Sequence, residues 1–149
     1  MYRKSTISVM EILEIALVAI LSSNATAQSG QILDSGPIGA WDLTGYDEEN
    51  TRWIGTAVLT RVSGETLTGH IDWLGSNGHC GREYVTGSYD PMIRILKMSG
   101  TRTEFSDRIV RGNYIAELSP DGSRLVNGRW SSIDPAIPGG WSGKRITFE

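Results

Sequence analysis

The sequence predicts an all-β domain, a single antiparallel up-and-down barrel of about eight strands, with a β-sandwich of the same strands as the alternative. Three observations carry this expectation. Beyond Gln28 no apolar stripe is long enough for a helix. Short β-prone runs alternate with turn residues at spacings of roughly 10 to 14 positions. Several of those runs also share a glycine-centred pattern that fits a tightly curled sheet.

In chain order the expected strands cover residues 39–45, 53–62, 65–74, 82–89, 92–98, 108–118, 124–131 and 141–148. Ser63-Gly64 joins the second and third as a two-residue hairpin signal. Asp90-Pro91 and Pro120-Asp121-Gly122 mark two further turns, where proline and glycine supply the required dihedrals. The longer connections are expected at 46–52, 75–81, 100–107 and 135–140. Each is short enough to join neighbouring strands, which favours up-and-down closure over a sandwich. Closure also removes the edges that an open sheet would expose.

The glycine pattern reads apolar-x-Gly-x-large in Leu67-x-Gly69-x-Ile71, Val85-x-Gly87-x-Tyr89, Val110-x-Gly112-x-Tyr114 and Val126-x-Gly128-x-Trp130. Residues two apart share a strand face, so each run places a hydrophobe, a glycine and a large side chain on one side. Glycine weakens a strand unless the sheet bends or another group crowds in. A small barrel supplies both conditions.

The N-terminus reads as an export signal. Arg3 and Lys4 precede the apolar run Ile12 to Leu21, and Ala25-Thr26-Ala27 offers a small-x-small cleavage site. The run is about half the length of a bilayer-spanning helix and carries Glu14, so no stable membrane span is expected in the mature chain. The organisation is therefore a signal peptide over 1–27, a linker over 28–38 and the barrel domain over 39–149. The expected location is periplasmic or secreted. Cleavage removes two basic and two acidic residues, so the net charge of −3 is retained. That balance disfavours a nucleic-acid partner, which needs a basic face. Cys80 is the sole cysteine, so stability must come from packing and sheet hydrogen bonds, not an intramolecular disulfide.

Within the strands the chain resembles the avidin-type branch of the lipocalin-like barrels. Gly39-Ala40-Trp41 is similar to the Gly-x-Trp that opens the first strand in avidins and lipocalins. Leu67-Thr68-Gly69 resembles the third avidin strand, and the run Tyr84 to Asp90, with Gly87 and Tyr89, resembles the fourth. The resemblance covers residues 39–90. It implies a ligand-holding barrel, but not biotin. Where avidins place a tyrosine and a serine against the biotin head group, this chain has Ile71 and Trp73.

The candidate ligand-binding residues are Trp41, Trp53, Trp73, Tyr89, Tyr114 and Trp130. Aromatic rings can wall an apolar pocket while their polar tips bind a ligand atom. Trp141 is the fifth tryptophan, and Arg94 and Arg129 are candidates for the barrel mouth if their strands turn them inward. The expected function is binding of a small, partly apolar molecule in a tryptophan-lined interior, with no cofactor and no metal. One alternative is a solid barrel whose surface binds another envelope or secreted protein. A second is an enzyme built on Cys80 with His79 and His70, oriented by Asp72, since an imidazole can activate a thiol. No cysteine-enzyme signature surrounds Cys80. The expected reading is therefore non-enzymatic.

The export reading makes a direct forecast. The intact mass of the secreted or periplasmic form should correspond to a chain starting at Gln28; retention of residues 1–27 would overturn it.

Overall fold

Alternation along each strand decides which side chains meet inside, and here the inward set is almost wholly apolar. In the computed structural model the described residues are 36–106 and 108–147. The expected signal segment, and all of the linker except residues 36–38, lie outside them. Eight strands follow in order: β1 Gly39–Asp47, β2 Arg52–Ser63, β3 Thr66–Gly75, β4 Cys80–Asp90, β5 Ile95–Glu104, β6 Gly112–Leu118, β7 Arg124–Ser132 and β8 Pro138–Arg145. Each pairs antiparallel with the next, and β1 also pairs with β8, so the sheet is a closed up-and-down barrel. Among the described residues no helix is long and apolar enough to cross a membrane.

Large rings face small partners across the strands. Trp53 lies opposite Gly45 and Gly75, Trp73 opposite Gly55 and Gly81, Trp141 opposite Gly45 and Gly128, and Trp130 opposite Gly139. Trp41 lies opposite Ala57. A Cβ on Gly55 would sit 2.7 Å from the Trp73 ring, and one on Gly128 would sit 2.1 Å from the Trp141 carbonyl oxygen. Glycine here makes room for neighbours in a sheet of small radius.

The repeat is half regular. Leu67, Ile71, Val85 and Tyr89 are all buried, as the pattern requires. In the third run Val110 is exposed in the β5–β6 connection, and β6 begins at Gly112 instead of Arg108. In the fourth, a register shift between Leu125 and Gly128 turns Leu125 inward in place of Val126, and Asn127 takes a φ of 54°. The fifth strand differs most from expectation. Asp90 accepts hydrogen bonds from the amides of Met92 and Ile93, forming a turn, so the strand starts at Ile95 and runs on to Glu104. Met92 and Ile93 are apolar but exposed; their hydropathy drew the expected strand too early. Strand β8 begins at Pro138, within the expected loop 135–140, and ends at Arg145. The hairpin turn lies one residue later than expected, at Gly64-Glu65, because Ser63 pairs with Thr66.

One end of the barrel is filled. Trp41, Leu59, Leu67, Tyr89, Leu96, Leu118 and Leu125 are buried among one another, and Pro37 is buried with them. The Trp41 indole donates to the Pro37 carbonyl at 2.8 Å. The Arg145 guanidinium lies 4.3 Å over the Trp41 ring and donates to the carbonyls of Gly122 and Gly36 at 2.7 Å. This arginine ties the chain entering the barrel to the β6–β7 turn, and stacks where cation–π attraction adds to its hydrogen bonds.

Steric crowding predicts a contrast between two glycines. Gly128→Ala should destabilise the fold by about 1–3 kcal/mol through overpacking. Gly140→Ala, whose nearest neighbour would be 3.9 Å away, should change stability by less than about 0.5 kcal/mol. Urea denaturation of the two variants checks this, and equal effects would contradict it.

Candidate functional site

The opposite end of the barrel is hollow. A cavity of about 400 Å³ lies among the ends of the strands and the β1–β2, β3–β4, β5–β6 and β7–β8 connections. Trp53, Trp73, Tyr114, Trp130 and Trp141 form its aromatic wall. Ile109 and Val110 from the β5–β6 connection and Ile137 from the β7–β8 connection add aliphatic surface, and Glu49, His79 and Arg108 stand at the rim.

The rings hold one another in place. Tyr114 stacks on Trp73 with ring centroids 6.5 Å apart and planes 11° apart, and meets Trp141 edge to face at 5.8 Å and 86°. Such contacts contribute beyond the area they bury. The Trp53 indole donates to Asp47 Oδ2 at 3.0 Å, and the Trp141 indole donates to the Arg129 carbonyl at 3.0 Å. Both rings therefore offer the cavity apolar surface, with their N–H groups engaged elsewhere.

Behind these rings lies a carboxylate. Glu83 on β4 exposes none of its surface to water, although it borders the cavity wall. Its Oε2 accepts the Tyr114 hydroxyl at 2.5 Å and its Oε1 accepts the Gly112 amide at 2.8 Å. The side chain lies across Gly100, where a Cβ would come within 2.0 Å of Oε1. Burial pushes the Glu83 carboxyl above its ordinary range, while the Tyr114 hydroxyl and the Gly112 amide pull it partly back. Burial, followed by the neighbouring carboxylate, holds the Tyr114 phenol well above its ordinary range.

The six expected ligand-binding residues divide between the two ends. Trp53, Trp73, Tyr114 and Trp130 come together at the cavity. Trp41 and Tyr89 do not; the first is fixed by Pro37 and Arg145, and the second packs beneath Gly36. Arg94 and Arg129 are not at the mouth either. Arg94 donates to the Leu118 carbonyl at 3.0 Å beside the β6–β7 turn, and Arg129 is exposed on the outer face. Trp141 and Glu83 were absent from the expected set. The signal for Glu83 was present: it shares strand parity with Val85, Gly87 and Tyr89, so alternation turns it inward.

Of the residues of the thiol reading, His70, Asp72 and Cys80 lie on the outer face of β3 and β4. Cys80 is exposed, and its register partner is Leu74. His70 faces outward against Tyr84, with ring centroids 6.2 Å apart. Asp72 is held by a two-pronged bond from Arg82 at 2.6 and 2.8 Å, which keeps its carboxyl below the usual range. His79 alone of the four reaches the cavity. Among the described residues no group of three or more His, Cys, Asp and Glu side chains could hold a metal ion.

No family model matches the chain, and no curated protein matches it. Solved structures do. A redesigned β-barrel, mFAP1, bound to DFHBI matches with a TM-score of 0.62 at 15% identity, covering 72% of this chain and 94% of that one. EF1p2_mFAP2b bound to DFHBI matches at 0.60 and 11% identity, covering 73% and 93%. A de novo designed fluorescence-activating β-barrel matches at 0.53 and 12% identity, with the same coverage. At these identities the likeness establishes the barrel fold. It names no avidin or lipocalin.

The buried carboxyl makes a pH forecast. With a folded-state pKa above the unfolded value, Glu83 adds most to stability when protonated. That contribution is lost as pH rises from about 4.3, the unfolded value, through the folded one. Glu83→Gln removes this loss, so the variant's melting temperature should gain on the native protein's between about pH 4 and pH 7. Parallel melting curves across that window would contradict it. The lowered carboxyls of Asp72 and Glu104 are shared by both proteins and cancel in the comparison.

Proposed function

We propose that this chain is an exported barrel that binds a small, partly apolar molecule at its open end. The observation that carries the proposal is the cavity of about 400 Å³ behind an aromatic wall, a volume in the range of small-molecule sites. The mFAP barrels support it, because barrels of similar fold are bound to a small molecule, DFHBI. Export rests on the N-terminal sequence pattern alone.

The avidin- and lipocalin-like reading is kept as part of the proposal, on the residues of β1, β3 and β4 that carry it. Biotin is not the proposed ligand. Ile71 and Trp73 are inward and apolar where that family's hydrogen-bonding residues would stand. A ligand polar group left unpaired there costs about 1–3 kcal/mol. The role is read as binding; in support, Asp72 is held by Arg82 and Cys80 is exposed on the strand face away from the cavity. The alternative of a protein-interaction module is favoured by one feature, the exposed Ile54 and Leu74 paired on the outer face of β2 and β3.

Titration with fluorogenic aromatic dyes, DFHBI among them, should change tryptophan emission saturably at one site per chain. Trp130→Phe and Trp73→Phe should diminish the change, and Trp41→Phe should leave the affinity within about twofold, given its place in the filled end. A response that depends on Trp41 and not on Trp73 or Trp130 would refute the placement.

A further inference from the structure

We propose that the open end selects an organic cation, a protonated amine or N-alkylated heteroaromatic ring on an apolar body, with Glu83 as its counter-charge. This rests on the reading of the cavity as a ligand site.

Three features of the cavity point the same way. First, the rings of Trp73, Tyr114 and Trp141 line one volume, and aromatic rings attract cations through the ring quadrupole. The Tyr114 hydroxyl donates to a carboxylate, which pushes electron density into the phenol ring and strengthens that attraction. Second, Glu83 lacks a cationic partner at bonding distance. Among the described residues the ion pairs are Arg82 with Asp72 and Arg102 with Glu104, neither involving Glu83. The groups bonded to it are neutral donors, the Tyr114 hydroxyl, the Gly112 amide and the Trp73 indole, and Arg111 acts on it only at longer range. A cation therefore still lowers the cost of burying its charge. A cation on the rings would act on it across low-dielectric material, where the interaction is weakly screened. No surface of Glu83 reaches water, so the cation is felt through Tyr114 and Trp73 and not by direct contact.

Third, the remaining charges disfavour an anion. Among the described residues Asp47, Glu49 and Glu83 line the cavity with one guanidinium, that of Arg108, while Arg111 acts on Glu83 without lining the cavity. The indole N–H groups of Trp53 and Trp141, which could have received an anion, are bonded to Asp47 and to the Arg129 carbonyl.

The test uses the native chain and three dyes of similar size, each titrated by calorimetry and tryptophan quenching. They are thioflavin T, which carries a permanent benzothiazolium charge; its neutral benzothiazole parent, which lacks the ring N-methyl; and the anion 8-anilinonaphthalene-1-sulfonate. Thioflavin T should bind at least tenfold more tightly than the neutral parent, and the anion most weakly. Glu83→Gln should abolish the preference for the cation, bringing the affinities of thioflavin T and its neutral parent together. Equal binding of cation and neutral dye keeps the ligand pocket and overturns the counter-charge. Tightest binding of the anion overturns it in favour of Arg108. Binding of none of the three overturns both the inference and the reading it rests on. The dye comparison needs no variant, so it decides the question even if Glu83→Gln does not fold.

Discussion

The fold depends on fitting large rings against absent side chains. Eight strands enclose an interior just wide enough for packed side chains or one small ligand. Five tryptophans on the inner surface would overfill it if every neighbour carried a Cβ. The sheet places glycine or alanine opposite each of them, at Gly45, Gly55, Ala57, Gly75, Gly81, Gly128 and Gly139. The bulges have a related effect. The shift beside Tyr84 adds twist to β4 and β5 near the place where Glu83 crosses Gly100. Closure, glycine placement and ring packing are thus one constraint.

That constraint acts differently at the two ends. At the filled end aliphatic side chains, mostly leucine, pack between the rings, and Arg145 ties Gly36 and Gly122 to the Trp41 ring. Aliphatic side chains adapt to the taper and are buried there. At the open end the inward positions are taken by flat rings beside glycines, with few flexible side chains to fill the gaps. Rings that stack and meet edge to face support one another at fixed angles, so the space between them does not collapse. The cavity follows from amino-acid type as much as from loop length.

Much of this was legible in the sequence, and the failures have local physical causes. Alternation gave the shared faces of β3 and β4, where Leu67, Ile71, Val85 and Tyr89 are all buried. It failed at β5 because Met92 and Ile93 are apolar residues lodged in a turn by the Asp90 carboxylate. It failed at β7 because a bulge at Val126 and Asn127 exchanges the two faces, an event with no counterpart in periodicity. The aromatic set was found by residue type, but type does not say which end of a strand a ring occupies. Trp41 and Trp73 face the same interior, yet only the register and the Pro37 carbonyl put the first in the plug. Glu83 was readable from parity, but its residue type points the other way, since a single glutamate in a strand normally faces water.

Nothing in the barrel requires a carboxylate at that position. Ile71, its register partner on β3, and Val85, the next inward residue on β4, show that hydrocarbon serves neighbouring sites without difficulty. A buried ionisable group destabilises unless its partners compensate it, and replacement by an apolar residue of similar size is often neutral or stabilising. Glu83 nevertheless has a built environment: a phenol and a backbone amide aimed at separate oxygens, and a glycine beneath. The donor, Tyr114, is also the ring that links Trp73 to Trp141. Carboxylate and aromatic wall are therefore mechanically one unit. Any molecule that settles on those rings alters the electrostatics of Glu83, and any change in the charge of Glu83 alters the face those rings present.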